Sequence, residues 1–223
     1  MDIDLEAGLL FPDELPPDHR SGFVTLLGKP NVGKSSLMNA WLGHKIAAVT
    51  PKPQTTRNRL LGILTRPDAQ IIFLDTPGIH LPHTKLGEYM VQTAKQAIGE
   101  ADLLLFLVDI SQPPDRADEE IAKTVQATGK TSTILVLNKV DLVSPEQLEG
   151  RRATYEALGP FDETMPISAT TGYNRDALLE LVVSKLPRGP RFFPAEQITD
   201  MQERFIAAEM IREQLMQLLE QEV

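Results

Sequence analysis

Phe23-Val24-Thr25-Leu26-Leu27-Gly28-Lys29-Pro30-Asn31-Val32-Gly33-Lys34-Ser35 joins an apolar run to a glycine-framed turn that opens a helical pattern. Phe23–Leu27 is near-continuously apolar, as a strand covered on both faces should be. Gly28 to Ser35 fits GxxxxGK[ST], and its place between a strand and a helix is the context a phosphate-binding loop requires. The glycines let the backbone wrap phosphates, whose charge meets amide N–H groups and the helix N-terminus. Lys34 is placed to reach β- and γ-phosphates, and the Ser35 hydroxyl to ligate Mg2+. Gly28, Pro30, Asn31, Val32, Gly33, Lys34, Ser35 and Ser36 are therefore taken as nucleotide-binding.

Outward from this loop, Gln70–Leu74, Leu103–Val108, Thr133–Leu137 and Thr164–Ile167 are further apolar runs, and Leu60–Thr65 reads as an edge strand. Longer helical patterns separate them, the signature of strand–helix–strand units. The expected fold is α/β: a mainly parallel six-stranded sheet of the P-loop NTPase, Ras-like kind with helices on both faces. Ser144-Pro145-Glu146-Gln147 marks one helix start by a capping Ser, a Pro at the first position and a Gln three residues on.

The three prolines and one glycine of Leu186–Pro194 end the main domain, because neither a helix nor a central strand tolerates them. Beyond, Thr199-Asp200-Met201-Gln202 reads as a second capping box before a helix with Phe205, Ala208, Ile211, Leu215 and Leu218 on one stripe. That stripe needs a cover, and the main domain is the partner the sequence offers. The expected division is an extension at 1–20, a nucleotide-binding domain at 21–187, a linker at 188–198, and the first helix of an incomplete domain at 199–223.

The 223 residues suit one main domain, and 42% apolar with 24% charged residues excludes general disorder. A net charge of −9 argues against a surface that clings everywhere to nucleic acid. The absence of cysteine excludes disulfides and thiolate zinc sites and fits a reducing cytosol. Residues 1–20 lack the basic start and apolar core of a signal peptide. The longest apolar run, Leu103–Val108, falls far short of the roughly 20 residues that cross a bilayer, so no transmembrane segment is expected.

Four more motifs follow in order. Asp75-Thr76-Pro77-Gly78 closes an apolar strand, which brings its carboxylate to the carboxyl edge of the sheet, where ligands bind in such folds. Asp75 is expected to hold Mg2+ through water, and Gly78 to offer its amide to the γ-phosphate, so that the loop after it switches on hydrolysis. Asn138-Lys139-Val140-Asp141 ends the Thr133–Leu137 strand. A carboxylate at Asp141 can accept from guanine N1–H and the 2-amino group, whereas adenine would leave it unpaired; such a site discriminates by roughly 10⁴-fold. Ser168-Ala169-Thr170 follows the last strand and can present the Ala169 amide to the guanine oxygen. Within Gln54-Thr55-Thr56-Arg57, the Thr56 hydroxyl is chosen to complete the Mg2+ shell, with Thr55 as its competitor.

GKPNVGKS, QTTR, DTPG, NKVD and SAT, in that order, resemble the five nucleotide-binding motifs of translation-factor-type GTPases over residues 21–187. PNVGKSSLMNAWLG, PKPQTTRNRLLGI and FLDTPGIH are similar to the Era family, GTPases of small-subunit ribosome assembly. FFPAEQITDMQERFIAAEMIREQLMQLL resembles the passage into that family's RNA-binding KH domain, but no GxxG follows Gly189. The resemblance implies a GTP- and GDP-binding, slowly hydrolysing switch, with loops around 45–59 and 76–87, acting on 16S rRNA and the 30S subunit through the KH region. Slow turnover fits Ile79, which cannot orient a water as the Gln of Ras-like enzymes does.

The resemblance further implies catalytic roles for Asn31, Lys34, Thr56 and Gly78, and a K+ ion beside the phosphates ligated by Asn31. It also implies a cytoplasmic monomer, with peripheral contact at the inner face of the cell membrane as an added expectation. The rival readings are a related GTPase of tRNA modification or large-subunit assembly, and a non-catalytic GTP-binding interaction module. Arg57 and His80 receive no role, Lys29 is read as exposed, and Trp41 as a packing residue.

Overall fold

The computed structural model describes residues 15–50, 56, 59–78, 92–94, 96–127, 129 and 131–218. The strands are β1 (Arg20–Leu27), β2 (Leu60–Thr65), β3 (Ala69–Asp75), β4 (Leu103–Asp109), β5 (Ser132–Asn138) and β6 (Glu163–Pro166). The helices are α1 (Lys34–Leu42), α2 (Arg116–Ala127), α3 (Pro145–Glu156), α4 (Arg175–Lys185) and α5 (Glu203–Leu218), with helical residues also at 92–94 and 96–99. They form one six-stranded sheet in the order β2-β3-β1-β4-β5-β6. All neighbours are parallel except β2 against β3. Both the α/β class and the edge placement of Leu60–Thr65 agree with the sequence reading.

Alternation along each strand divides the core between two faces. Leu103, Leu105 and Leu107 of β4 join Ile134 and Val136 of β5 beneath Leu37, Met38 and Trp41 of α1 and Leu178 and Val182 of α4. Leu104, Phe106 and Val108 join Leu135 and Leu137 on the other face, beneath Ile121, Ala122 and Val125 of α2 and Tyr155 of α3. The sheet is thus one filling between two helical layers; the runs of β3, β4 and β5 are buried on both sides, whereas the edge strand β6 is only partly covered. β1 lies at the centre, paired with β3 on one side and β4 on the other, and the chain reverses its direction of travel across the sheet between β3 and β4. The crevice outside its carboxyl end is where such folds bind ligands.

The capping box of α3 forms as read: Ser144 Oγ accepts from the Gln147 N–H, and the Gln147 side chain accepts from the Ser144 N–H. The tail behaves differently. α5 begins at Glu203 rather than behind a Thr199 cap, because Thr199 is drawn onto the sheet edge. Its hydroxyl donates to the Leu61 carbonyl at 2.6 Å, Thr199 forms an antiparallel bridge with Gly62, and the Ile63 N–H donates to Ile198 O at 2.8 Å. Satisfying the outer edge of β2 outweighs a capping bond to a solvent-facing helix end.

Candidate functional site

Four strands end side by side at the carboxyl edge of the sheet, delivering Gly28, Asp75, Asp109 and Asn138 to one rim. A cavity of about 490 Å³ opens there, lined by residues that include Asn31, Lys34, Ser35, Thr56, Gly78 and Lys139. Two glycines make the rim tight. Gly33 has φ 104°, and a Cβ on it would lie 2.2 Å from Asn138 Nδ2. A Cβ on Gly78 would lie 2.4 Å from the Pro30 nitrogen, so the DTPG turn closes directly onto the P-loop. Thr76 fixes that turn by donating its hydroxyl to the Leu26 carbonyl at 2.7 Å, both residues being fully buried.

Lys34 starts α1 and is 6% exposed. Its ammonium donates to the carbonyls of Gly28, at 3.1 Å, and Lys29, at 2.9 Å. Burial pulls its pKa down to about 8, with the Asp75 carboxylate acting the other way. Asp75 is fully buried and accepts the Ser35 hydroxyl at 2.5 Å; Ser35 Oγ lies 3.2 Å from Thr56 Oγ1. Burial raises the Asp75 pKa to about 6 despite Lys34 and Ser35. Its second oxygen, Oδ1, is buried with no hydrogen-bond partner among the described residues. An orphaned carboxylate oxygen beside two hydroxyls suits a hard cation with oxygen ligands, so the donor set fits Mg2+. The described residues contain no cluster of three His, Cys, Asp or Glu that could hold a metal without a phosphate's help.

Asn138 ties the base side together. Its Nδ2 donates to Val32 O of the P-loop at 2.7 Å, and its Oδ1 accepts from the Ala169 N–H at 2.9 Å. The Ala169 amide, expected to face a guanine oxygen, is therefore engaged by Asn138 here. Lys139 takes a left-handed backbone, φ 68°, and pairs with Asp109 at 2.6 Å. Burial pushes the Asp109 pKa up, but the Lys139 and Ser111 bonds outweigh it and hold the carboxyl below its ordinary range. Asp141 is exposed in the short 3₁₀ turn Val140–Leu142. Ser168 is buried, with its hydroxyl accepting from the Thr171 N–H, whereas Thr170 is exposed. Pro30, Gly33 and Ser36 line the cavity, and Val32 is buried behind it.

Lys29 corrects the sequence reading. It is not a solvated P-loop charge: its side chain is 18% exposed and pairs with Asp115 at 2.8 Å and Asp118 at 2.7 Å. The apolar stripe of α5 is a second correction, since Ile211, Leu215 and Leu218 are 62%, 39% and 80% exposed. α5 instead turns Phe205, Glu209 and Arg212 toward Ala47, Ala48, Thr56 and Leu60 around a cavity of about 220 Å³, and Lys45 pairs with the buried Glu213 at 2.6 Å. Trp41 packs as expected, stacked 5.0 Å from Phe73.

With this geometry in view, a family model described as 50S ribosome-binding GTPase matches residues 23–139. The GTPase Era of Staphylococcus haemolyticus (strain JCSC1435) is 47% identical over 206 residues, 92% of this chain and 69% of that protein. The chain belongs to the Era family of GTPases. Two solved Era structures share its fold. One, in complex with MgGDPNP and nucleotides 1506–1542 of 16S ribosomal RNA, superposes with a TM-score of 0.86 at 42% identity, over 92% of this chain and 70% of that one. The other, a tyrosine-to-alanine variant of Aquifex aeolicus Era bound to GDP.AlF4-, gives 0.85 at 41% identity, over 92% and 69%.

For this Era-family chain, the structure gathers Asn31, Lys34, Ser35, Thr56, Asp75, Gly78 and Asn138 around one rim. Thr55, Arg57, Ile79, His80 and the loop from 79 to 87 lie outside the described residues. Sequence reasoning missed Asp109, although the signal was present: like Asp75 and Asn138, it is a polar residue closing an apolar strand run. It also missed Asn39, whose Oδ1 accepts from the Ile46 and Ala47 N–H groups and whose Nδ2 donates to Ala47 O, fixing the chain just after α1. No described helix is long and apolar enough to cross a membrane.

Proposed function

We propose that GTP and GDP occupy the cavity over the P-loop and that the bound nucleotide sets affinity for the small ribosomal subunit during its assembly. The observation that carries this reading is Asn138, one side chain bonded at once to the P-loop and to the Ser168–Thr170 loop. A site so braced holds phosphates and base in fixed register. Lys34 would exchange its bonds to Gly28 and Lys29 carbonyls for phosphate oxygens, and the Gly78 N–H would face the γ-phosphate. Asp141 would accept from guanine, and Ala169 would border the base. Gly28, Pro30, Val32, Gly33 and Ser36 shape the phosphate cradle, while Lys139, Ser168 and Thr170 shape the base side.

Ser35, Thr56 and, through water, Asp75 would hold Mg2+, which supplies positive charge to the β- and γ-phosphate oxygens when bound. Asn31, with φ 62° on the cavity wall, is the residue for a K+ ion; equal turnover in sodium and potassium would remove it from that role. Catalysis here is positioning and electrostatics, and with Ile79 where Ras-like enzymes carry a Gln, turnover is slow.

The 16S rRNA partner follows from Era in complex with nucleotides 1506–1542, and it would be gripped by a KH-type domain of which 199–223 is the start, behind a linker at 188–198 and the 21–187 domain. The setting is cytoplasmic, with the protein a monomer and membrane contact at most peripheral; liposomes added to the purified protein should leave it in the supernatant. The test of the main reading is co-sedimentation of the full protein with small ribosomal subunits. Retention should be stronger with a non-hydrolysable GTP analogue than with GDP, and equal retention with both would count against the switch.

A further inference from the structure

Asp115, just before α2, and Asp118, in its first turn, are two carboxylates that nothing in the phosphate and base motifs uses. Asp118 is fully buried, and its Oδ2 accepts the Asp115 N–H at 3.0 Å and lies 2.7 Å from Lys29 Nζ. Its Oδ1 is buried with no hydrogen-bond partner, so the Lys29 ammonium is the charge that compensates it among the described residues. Asp115 adds a second contact to Lys29 at 2.8 Å and also caps α2, accepting the N–H groups of Ala117 and Asp118. Burial pushes the Lys29 pKa down, but the two carboxylates outweigh it and keep the ammonium charged.

Lys29 belongs to the P-loop, and its own carbonyl accepts the Lys34 ammonium at 2.9 Å. The side-chain clamp therefore fixes the peptide that sets where Lys34 rests. From this geometry we propose that Lys29 and Asp118, with Asp115 in support, are positioning residues: they lock the P-loop onto the α2 N-terminus and slow nucleotide release. The inference rests on the reading of the cavity as a guanine-nucleotide site. A buried charge pair broken on one side leaves the other uncompensated, and because the Lys29 carbonyl holds the Lys34 ammonium, the loss falls on the bound phosphates.

The test is release of a fluorescent GDP analogue from the purified protein, with Trp41, the sole tryptophan of the chain, reporting thermal melting in parallel. K29M and D118N should each speed release about tenfold, within the range by which residues without ligand contact modulate binding. The effect should lie mainly in the dissociation rate. K29R, which can pair with both carboxylates, should restore slow release. The K29M/D118N double variant should release no faster than the worse single one, since both remove the same pair. Release at the wild-type rate from K29M and D118N would overturn the clamp, as would a fall in melting temperature with release unchanged. Failure of the wild-type protein to retain the analogue at all would instead sink the nucleotide-site reading.

Discussion

Asp75 is a carboxylate held where its charge is costly. It is fully buried, and burial raises its pKa to about 6 against an ordinary 3.8, while Lys34 beside it is lowered to about 8. A group whose pKa is higher folded than unfolded adds stability that is complete below the unfolded value and lost as pH rises through the folded one. For Asp75 the window is pH 4 to 6. Lys34, lowered in the fold, loses its contribution as pH falls through 8 and is charged in both states below that. Between pH 7 and pH 5 the nucleotide-free protein should therefore gain about 1 kcal/mol from Asp75 protonation. Melting followed by Trp41 fluorescence should show the wild type rising relative to D75N over that interval; parallel curves would mean that Asp75 is not strained in the fold. The residues at stake here were legible in the sequence, because Asp75 and Lys34 stand in motifs whose chemistry forces their placement. Lys29 was not: its partners come from a connection some 86 residues away, and local spacing carries no trace of that pairing.

Among the elements, the strands were readable because two-sided burial makes them continuous apolar runs, and α3 because its cap is local. α5 was found but turned the wrong way. Periodicity identifies the stripe Phe205, Ala208, Ile211, Leu215 and Leu218, of which Phe205 packs on the core, yet the rest of the docking face is Glu209, Arg212, Glu213 and the buried Met216, chosen by charge and shape at the α1–β2 connection. Apolar periodicity cannot report a docking face that mixes apolar contacts with an ion pair. Glu213 is 2% exposed, and Lys45 lies 2.6 Å from its Oε1. Removing Lys45 leaves that carboxylate, among the described residues, with the Gln217 amide, at a local cost of about 1–3 kcal/mol. Hydrogen exchange should then be faster along 203–218 in K45M, with β4 and β5 unchanged. Exchange in α5 at the wild-type rate would show that apolar contacts at Phe205 and Ile206 suffice to dock it.

Across the whole molecule, the segment after α4 is fastened to the sheet rather than strung beside it. His19 and Gly189 exchange hydrogen bonds, and the buried Gln70 side chain accepts from the N–H groups of Phe192 and Phe193 while donating to Phe193 O. The chain then runs up the β2 edge to α5, whose Phe205, Glu209 and Arg212 face Thr56 across a cavity of about 220 Å³, while Ser35 Oγ lies 3.2 Å from Thr56 Oγ1 on the other side. A change at Thr56 on nucleotide turnover would thereby alter the wall of a cavity it shares with the tail helix, the arrangement a switch needs. The prolines of Leu186–Pro194 announced an end to helix and strand but not this docking, since the partners are backbone groups of a distant edge.

Switching, slow hydrolysis and the Lys29 clamp all depend on the cavity taking guanine nucleotides. The most direct measurement is competition against a bound fluorescent GDP analogue, with unlabelled GTP and ATP titrated in the presence of Mg2+. GTP should displace the analogue at concentrations roughly 10⁴-fold below those at which ATP begins to do so. Equal displacement by ATP, or none by GTP, would contradict it.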